Sequence, residues 1–326
     1  MYLKKYCLIF ATLVLSSAFP QRGWAQHLEK EIPLPNVQGR IDHFSIDPSG
    51  QRLFVSALGN RTVEVINLKR GERTASIANL KEPQGVAYDP DAKRLFVASD
   101  GDGTVRSYDG NSFAPLNTAN LGDDADNIRY DSQAKHVIVG YGDGGLASFD
   151  TNLKTLSDVK LPVHPESFQL ERDGSHVFVN LPDDSSIGVI DRKTNEVKKW
   201  HITAAGANFP MALDERNKRL FVGCRNPAKL LVFDTDSGKL IAELPAAGDT
   251  DDLFYDATRK RIYLIGGAGY LDVFTQKDVN QYELITRIKT SPGARTGLFA
   301  PTLNRLFIAA PRRGSNAAKI LVYQID

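Results

Sequence analysis

The chain repeats one pattern seven times, and this repetition limits the folds that it can adopt. Each copy has an acidic residue (Ala in the last copy), a short polar turn, a basic residue and a tetrad rich in β-branched and aromatic residues. The copies read DPSGQRLFV, DPDAKRLFV, DSQAKHVIV, ERDGSHVFV, DERNKRLFV, DATRKRIYL and APTLNRLFI. We call their first residues the anchors: Asp47, Asp89, Asp131, Glu171, Asp214, Asp256 and Ala300. Their spacing of 40 to 44 residues predicts stacked copies of one supersecondary unit.

Each repeat contains four short stretches with strand character. One precedes the anchor, the tetrad is the second, and the third reads TVEVIN, TVRSYD, GLASFD, SIGVID, KLLVFD, YLDVFT or KILVYQ. A fourth follows, as in TASIANL and LIAELPA. Apolar and polar positions alternate, and Gly, Asp and Asn cluster between the stretches. Four antiparallel strands in each of seven units predict an all-β protein, a seven-bladed β-propeller.

The last repeat is one strand short. It ends in KILVYQID, which is a third strand, whereas EKEIPLP near the start of the chain resembles the fourth strands of other repeats. We therefore expect the N-terminal strand to complete blade seven and close the ring, which removes an open sheet edge.

Residues 1–25 have the features of a secretory signal peptide. Lys4 and Lys5 are followed by an apolar run of 13 residues, Cys7 to Phe19, and by the small residues of GWA before Gln26. The alternative is an uncleaved anchor. We expect cleavage after Ala25 and a periplasmic or secreted protein, in which residues 26–326 form a single propeller domain without a membrane span.

The charge balance argues against nucleic acid as a partner. The chain has 40 Lys and Arg against 39 Asp and Glu, and removal of residues 1–25 takes away three bases and no acid. The remaining 37 bases and 39 acids form no basic stripe. Cys7 leaves with the signal peptide and only Cys224 remains, so a disulfide within the mature chain is impossible and a large core must stabilise it. We expect a monomer.

The repeats resemble those of a known family. Stretches such as RLFVSALGNRTVEVINLKRGERTASI and HVFVNLPDDSSIGVIDRKTNEVKKW look like the YVTN-type repeats of the YncE-like seven-bladed propellers. The resemblance covers all seven units. It implies the propeller fold and an exported protein that serves as a binding or scaffolding module. The ligands vary within this family. The repeats lack the Trp-Asp dipeptide of WD40 repeats.

Alignment of the repeats brings a set of polar residues to one end of the central channel, which we call the mouth. The fifth residues before the anchors are Asp42, Gln84, Asp126, Glu166, Phe209, Asp251 and Arg295. The fourth residues before the anchors are His43, Gly85, Asn127, Ser167, Pro210, Asp252 and Thr296, and His164 and Asn208 lie just upstream in blades four and five. We expect a ligand site formed by Asp42, His43, Gln84, Asp126, Asn127, His164, Glu166, Asn208 and Arg295. The alternative is that the loops are polar only because water surrounds them.

A divalent cation such as Ca²⁺ is a further expectation, because carboxylate and amide oxygens suit hard cations. Its predicted ligands are Asn127, Glu166, Asp251 and Asp252. His43 and His164 could instead recruit a softer transition metal, although they belong to blades one and four. Arg295 could hold a small anionic ligand beside such a cation.

Regucalcin and the gluconolactonase-type enzymes resemble this chain in the residue types at the mouth. The resemblance implies a metal held by Glu, Asn and Asp, with an Asp acting in lactone hydrolysis, for which Glu166, Asn127, Asn208 and either Asp251 or Asp252 are available. Three functions therefore remain open. The first is binding of a small molecule, a cation or an extracytoplasmic protein at the mouth. The second is metal-dependent hydrolysis of a lactone or ester there, and the third is a structural role in a cell-envelope complex.

Overall fold

The structure is a computed structural model that describes residues 27–326. These residues form seven four-stranded antiparallel sheets, which confirms the predicted all-β propeller. The predicted signal peptide and its cleavage site lie outside the described residues. Among residues 27–326 there is no helix with the length and apolar character needed to cross a membrane.

In blades one to three the strands follow one another in chain order from the centre outwards. Blade one contains β2 (Phe44–Asp47), β3 (Arg52–Ala57), β4 (Thr62–Asn67) and β5 (Glu72–Ile77). Blade two contains β6 (Pro83–Asp89), β7 (Arg94–Ser99), β8 (Thr104–Asp109) and β9 (Pro115–Asn120). Blade three contains β10 (Ala125–Asp131), β11 (His136–Tyr141), β12 (Gly145–Phe149) and β13 (Thr155–Lys160).

Blades four to six repeat this order. Blade four contains β14 (Phe168–Leu170), β15 (His176–Leu181), β16 (Ser186–Asp191) and β17 (Val197–His201). Blade five contains β18 (Gly206–Asp214), β19 (Arg219–Asn226), β20 (Ala228–Asp234) and β21 (Leu240–Pro245). Blade six contains β22 (Thr250–Asp256), β23 (Arg261–Gly266), β24 (Tyr270–Asp278) and β25 (Gln281–Lys289). Single 3₁₀ turns occur at Leu58–Asn60, Asp100–Asp102, Pro182–Asp184, Glu215–Asn217 and Pro301–Leu303.

In the first six repeats the acidic anchor stabilises the turn between the first two strands. In blade one, Asp47 Oδ1 accepts hydrogen bonds from the Ser49 hydroxyl (2.7 Å) and the Gly50 N–H (3.0 Å). Arg52, the basic residue of the same repeat, donates to Asp47 Oδ2 at 2.7 Å. The His176 imidazole takes the equivalent place beside Glu171 in blade four, at 3.1 Å. The repeated acid and base therefore serve the turn at the end of the channel opposite the mouth.

The hydrophobic core consists of seven clusters, each between two neighbouring blades. The cluster between blades one and two, for example, joins Phe54 and Val65 to Leu95 and Val97. The tetrad aromatics are central to these clusters. Phe54 lies 5.2 Å from Tyr88 of the next blade, measured between ring centroids, and Phe221 lies 5.0 Å from Tyr255. Each blade therefore buries its faces only against its two neighbours, so the ring must close for every face to be covered.

Blade seven joins the two ends of the chain. It is built from β26 (Gly297–Ala300), β27 (Arg305–Ala310), β28 (Ala318–Gln324) and the N-terminal β1 (His27–Leu34), which pairs antiparallel with β28. The closure predicted from EKEIPLP is thus confirmed.

The β1 strand is held by apolar burial and by ion pairs. Ile32 and Leu34 are fully buried in the cluster between blades seven and one. Glu29 accepts two hydrogen bonds from the Arg305 guanidinium (2.6 and 3.1 Å), and Glu31 lies 2.7 Å from Lys319 Nζ. The exposed pairs stabilise little by themselves, so most of the closure energy comes from the buried aliphatic side chains.

We expect Ile32→Ala to lower the free energy of unfolding by about 2–5 kcal/mol, because it leaves a cavity where the ring closes. Leu28→Ala, in the same strand at an exposed position, should change it by less than about 0.5 kcal/mol. Urea denaturation followed by circular dichroism measures both. Equal losses in the two variants would contradict a closure that depends on buried β1 side chains.

Candidate functional site

In blades two, three, five and six an irregularity in the inner strand presents the residues of the mouth. The pairing of β10 with β11 skips from Ala125 to Ile128, and that of β22 with β23 skips from Thr250 to Asp252. Inner strands β6 and β18 shift register at the same place in their repeats. Such bulges redirect the side chains of the extra residues. In these four blades the fifth and fourth residues before the anchors lie at the interruptions, and in blades one, four and seven they directly precede the inner strand.

Neighbouring blades also contact each other through backbone at the mouth. The His43 N–H donates to the Gln84 carbonyl (3.3 Å), and the Asp252 N–H donates to the Arg295 carbonyl (3.1 Å). Gly85 shows how close this approach is, because a Cβ at that position would lie 2.1 Å from the Asp126 carbonyl oxygen. The spacing of the mouth residues is therefore fixed by the packing of the blades and not by flexible loops.

Asp42 lies fully buried at the mouth beside a basic partner that the sequence analysis did not select. Its Oδ2 is 2.6 Å from Nη2 of Arg40, which also donates to Gln84 Oε1 at 3.0 Å. Burial raises the pKa of Asp42 to about 7, although the charges of His43 and Arg40 act in the opposite direction. Arg40 thus connects blades one and two across the top of the channel.

Asp251 is neutralised in a similar way on the other side of the mouth. The Arg225 guanidinium donates to Asp251 Oδ1 (2.6 Å) and to the Thr250 carbonyl (2.8 Å). It also lies over the ring of Phe209, 3.4 Å from the centroid. The predicted anion-binding residue Arg295 is engaged by Asp249, with Nη1 3.0 Å from Oδ1.

His43 lies between blades one, three and six. Its Nδ1 is 3.4 Å from Asp252 Oδ2, and its Nε2 is 3.4 Å from the Asn127 amide and 3.6 Å from Asp42 Oδ1. Burial acts to lower its pKa, but the charges of Asp252 and Asp42 outweigh burial and raise the pKa to about 10. The imidazole is therefore protonated and donates from both nitrogens. A half-turn of the Asn127 amide would present Oδ1, which has no hydrogen-bond partner, to that donor.

Asp126, His164 and Glu166 form the remaining group, and their ligand atoms all lie within 4.8 Å of one another. Burial and the charges of Asp126 and Asp251 raise the pKa of Glu166 to about 8. Burial acts to lower the pKa of His164, but Asp126 and Asp124 raise it to about 9. For Asp126 itself, burial is outweighed by His164, His43 and Arg40, so that its pKa is lowered. Two protons are therefore held in this group at neutral pH.

The hydrogen bonds of this group leave atoms free for a cation. His164 Nδ1 lies 2.7 Å from the Gly142 carbonyl, which directs Nε2 towards Asp126 Oδ2 at 3.9 Å. A metal-binding histidine commonly donates its second N–H to such a carbonyl. Asp126 Oδ1 is buried and has no hydrogen-bond partner in residues 27–326. One imidazole and two carboxylates form a mixed N/O donor set, which suits first-row transition ions such as Zn²⁺ better than Ca²⁺.

The residues predicted to bind a ligand come together only in part. Asp42, His43, Gln84, Asp126, Asn127, His164 and Glu166 are joined by the contacts above. Asn208 is fully buried and donates to Asn180 Oδ1 and the Ser186 carbonyl, each at 2.9 Å, so it ties strands of blades four and five together. Of the four predicted metal ligands, only Glu166 belongs to the group with Asp126 and His164. Asn127 and Asp252 lie against His43, and Asp251 pairs with Arg225.

Four charged residues were missed. Arg40, Asp124 and Arg225 lie outside the aligned positions, and no spacing rule in the sequence predicts them. Arg129 could have been found from the repeat alignment, because it is the second residue before its anchor. The residues at that position are Ser45, Ala87, Arg129, Gln169, Ala212, Phe254 and Leu298, and Arg129 alone among them is charged.

Below the mouth the channel opens into a cavity of about 280 Å³. Residues from the inner strands of all seven blades line it, with His43 and Asp252 at the mouth side and Arg129 in its wall. Gln169, which also lines the cavity, donates to the Met211 carbonyl at 2.9 Å. The mouth thus leads into a space with both polar and apolar walls.

Comparison with known proteins shows the fold and no more. No protein-family model and no curated protein sequence matches the chain. A chain of the Kuenenia stuttgartiensis hydrazine synthase is similar in structure, with a TM-score of 0.75 and 17% identity over 89% of this chain and 98% of that one. A chain of the mitotic checkpoint complex has a TM-score of 0.78 and 15% identity over 99% of both chains. At this identity the likeness supports the propeller fold, while the YncE-like resemblance stays a prediction.

We expect the metal-free protein to lose stability as pH rises from 7 to 10. The pKa values of Glu166, His164 and His43 are raised to about 8, 9 and 10 in the folded state, so that state holds protons in this range which the unfolded chain has already released. Each pH unit over which one such proton is retained lowers the free energy of unfolding by about 1.4 kcal/mol. Urea titrations in EDTA at pH 7, 8.5 and 10 measure the slope.

His43→Gln should flatten this slope, because His43 has the highest of the three pKa values and keeps its proton furthest into this pH range. His201→Gln, at an exposed position of β17, is the matched control and should leave the slope unchanged. A slope that is the same in all three proteins would show that the mouth does not control the pH dependence.

Proposed function

We propose that this protein is a binding module that holds one divalent transition-metal ion at the mouth of its channel. Asp126, His164 and Glu166 would be the protein ligands. The observation that carries the proposal is their arrangement. The ligand atoms lie within 4.8 Å of one another, and Asp126 Oδ1 is buried without a partner. Asp42, Asp251 and Asp252 each have a basic partner of their own, whereas Asp126 and Glu166 share one imidazole with the partly exposed Asp124.

Binding in this group requires small movements and the release of protons. Zn²⁺ is held at about 2.0–2.2 Å from nitrogen and carboxylate ligands, so the three atoms must draw closer together than 4.8 Å. Glu166 and His164 must also deprotonate, which makes binding tighter as pH rises. The ion would relieve the repulsion between Asp126 and Glu166 that now raises the pKa of Glu166.

The proposed binding module includes the predictions for location, oligomeric state and partner. The exported location, the monomeric state and a small-molecule or extracytoplasmic protein partner are part of the proposal. A structural role is supported only by analogy, since the mitotic checkpoint complex chain shares the fold within an assembly. That analogy concerns another protein and names no surface of this one.

Zinc binding tests the proposal directly. Calorimetric titration of the EDTA-treated and desalted protein with Zn²⁺ should show one ion per chain, bound at least about 10-fold more tightly than Ca²⁺. His164→Gln should weaken Zn²⁺ binding by about 10–100-fold because a ligand is lost. His43→Gln is the matched control, an imidazole of the same mouth outside the group, and should not weaken Zn²⁺ binding, because it removes a positive charge near Asp126.

Two results would contradict this assignment. One is the absence of Zn²⁺ binding, and the other is equal loss in His43→Gln and His164→Gln. Tight Ca²⁺ binding that is lost in Asp252→Asn and kept in His164→Gln would instead support the ligand set of Asn127, Glu166, Asp251 and Asp252.

A second candidate function is hydrolysis of a lactone or ester, and Asp124 favours it. This carboxylate is partly exposed at the mouth, with Oδ2 3.5 Å from His164 Nδ1. Burial raises its pKa to about 6, which lies in the range of an effective general base. A divalent ion at the neighbouring group would supply Lewis acidity, and Asp124 would accept a proton from the attacking water.

Turnover of a panel of small lactones and nitrophenyl esters by the Zn²⁺-treated protein tests this second function. Asp124→Asn should reduce turnover at least about 100-fold with Zn²⁺ binding retained, since Asn also tolerates the positive φ of this residue. Asp123→Asn, at the exposed neighbouring position, should have no effect. The absence of turnover in the wild-type protein would exclude this function for the panel and leave the binding proposal standing.

A further inference from the structure

The cavity below the mouth contains a cationic side chain without an anionic partner. Arg129 projects from β10 into the channel wall. Its hydrogen bonds within residues 27–326 go to the Ile128 carbonyl (Nη1, 3.0 Å) and the Ser167 hydroxyl (Nη2, 3.4 Å). No carboxylate of the described chain lies within 4.0 Å of it. Two of its five N–H donors are thus used, and only by neutral groups.

The carboxylate that faces the same cavity is already engaged. Asp252 Oδ2 accepts a hydrogen bond from the Gly297 N–H (2.8 Å) and lies 3.4 Å from the protonated His43. Asp126 acts on Arg129 only from a distance, and its nearest contacts are with His164. Counting His43 and Arg129 against Asp252, the lining of the cavity carries one excess positive charge.

The Phe168 ring, whose centroid lies 5.4 Å from Arg129 Cζ, offsets only part of the cost of holding a guanidinium in this position without an anion. Burial lowers the pKa of Arg129, and the attraction of Asp252 and Asp126 does not compensate for it. Charged groups inside proteins are usually paired, because removing them from water costs several kcal/mol. An anion in the channel would supply the missing partner.

The shape and the walls of the cavity limit the kind of anion. The fork of a guanidinium matches a carboxylate in a bidentate arrangement. The cavity also has apolar lining from Met211, Leu253, Phe254 and Leu298, and its 280 Å³ is close to the lower end of the 300–1,000 Å³ range, an approximate range for small-molecule sites. One excess charge and apolar walls favour a singly charged organic ion over phosphate.

We propose that the channel binds a small organic monocarboxylate, with its carboxylate on Arg129 and its apolar part against Phe254 and Leu298. Ser167 adds a hydroxyl beside the guanidinium. The site lies below the mouth and uses none of the three proposed metal ligands, so it stands independently of the cation proposal.

Benzoate and its neutral analogue benzamide test this site. In protein treated with EDTA, so that no metal contributes, benzoate at millimolar concentration should raise the melting temperature by several degrees, whereas benzamide should not. Arg129→Gln should reduce the affinity for benzoate at least about 10-fold in calorimetric titration, because a charge-assisted pair is lost. Arg312→Gln removes an exposed arginine of blade seven and should bind benzoate like the wild type.

A second measurement uses the wild-type protein and therefore does not require that a variant folds. Phenylglyoxal modifies arginine, and peptide mass mapping reports each position. Benzoate should protect Arg129 and leave Arg312 unprotected, whereas benzamide should protect neither. The proposal is overturned if benzoate neither stabilises the protein nor protects Arg129. Equal binding of benzoate and benzamide, or tighter binding of inorganic phosphate than of benzoate with loss in Arg129→Gln, would likewise refute the monocarboxylate assignment.

Discussion

The pairing of β1 with β28 is the interaction on which the rest of the structure depends. Each blade buries its faces only against neighbouring blades, so the interface between blades seven and one must form before all seven clusters are covered. Ile32 and Leu34 provide that interface from the N-terminal side. The closed ring then fixes the seven inner strands around a channel whose width no single loop can change. The backbone of the mouth is therefore held in place by the ring, so that binding needs only small movements of side chains.

Closure also brings many carboxylates into a small, poorly hydrated space, and the electrostatics of the mouth follow from this. Arg40 forms an ion pair with Asp42, and Arg225 forms one with Asp251. Protonated His43 pairs with Asp252. The same accounting leaves two centres without a full partner: the two carboxylates that share His164, and the guanidinium of Arg129. One lacks a cation and the other lacks an anion. The first centre is balanced only while Glu166 keeps its proton, and the second is not balanced, so both proposals rest on charged groups without a full partner.

The fold was predictable from the sequence because its repeated residues have local roles. An anchor such as Asp47 caps a turn, and a tetrad aromatic such as Phe54 fills an interface between blades, so their periodicity reports the architecture directly. The mouth residues followed from the same alignment. Their partners did not, because Arg40 and Arg225 reach the mouth from outside the aligned positions. Pairing across blades depends on distances that the sequence does not contain. For this reason the prediction grouped Asn127, Asp251 and Asp252 with Glu166, although their contacts are with His43 and Arg225. It also placed Asn208 in the ligand site, although this residue connects strands of two blades.

The mouth residues lie where the regular pairing of each inner strand begins, and this position affects how such a protein can change. Every blade contributes its mouth residues from outside the regular ladder, while the core clusters are filled by residues further along the same strands. A replacement at one mouth position, such as Gln84 or Arg295, therefore alters the contacts of one blade at the mouth and leaves the hydrophobic clusters between the blades intact. Gly85 is an exception, because the neighbouring backbone fills the space of its side chain. The ring is in this sense a scaffold on which the chemistry of the channel can be exchanged one position at a time.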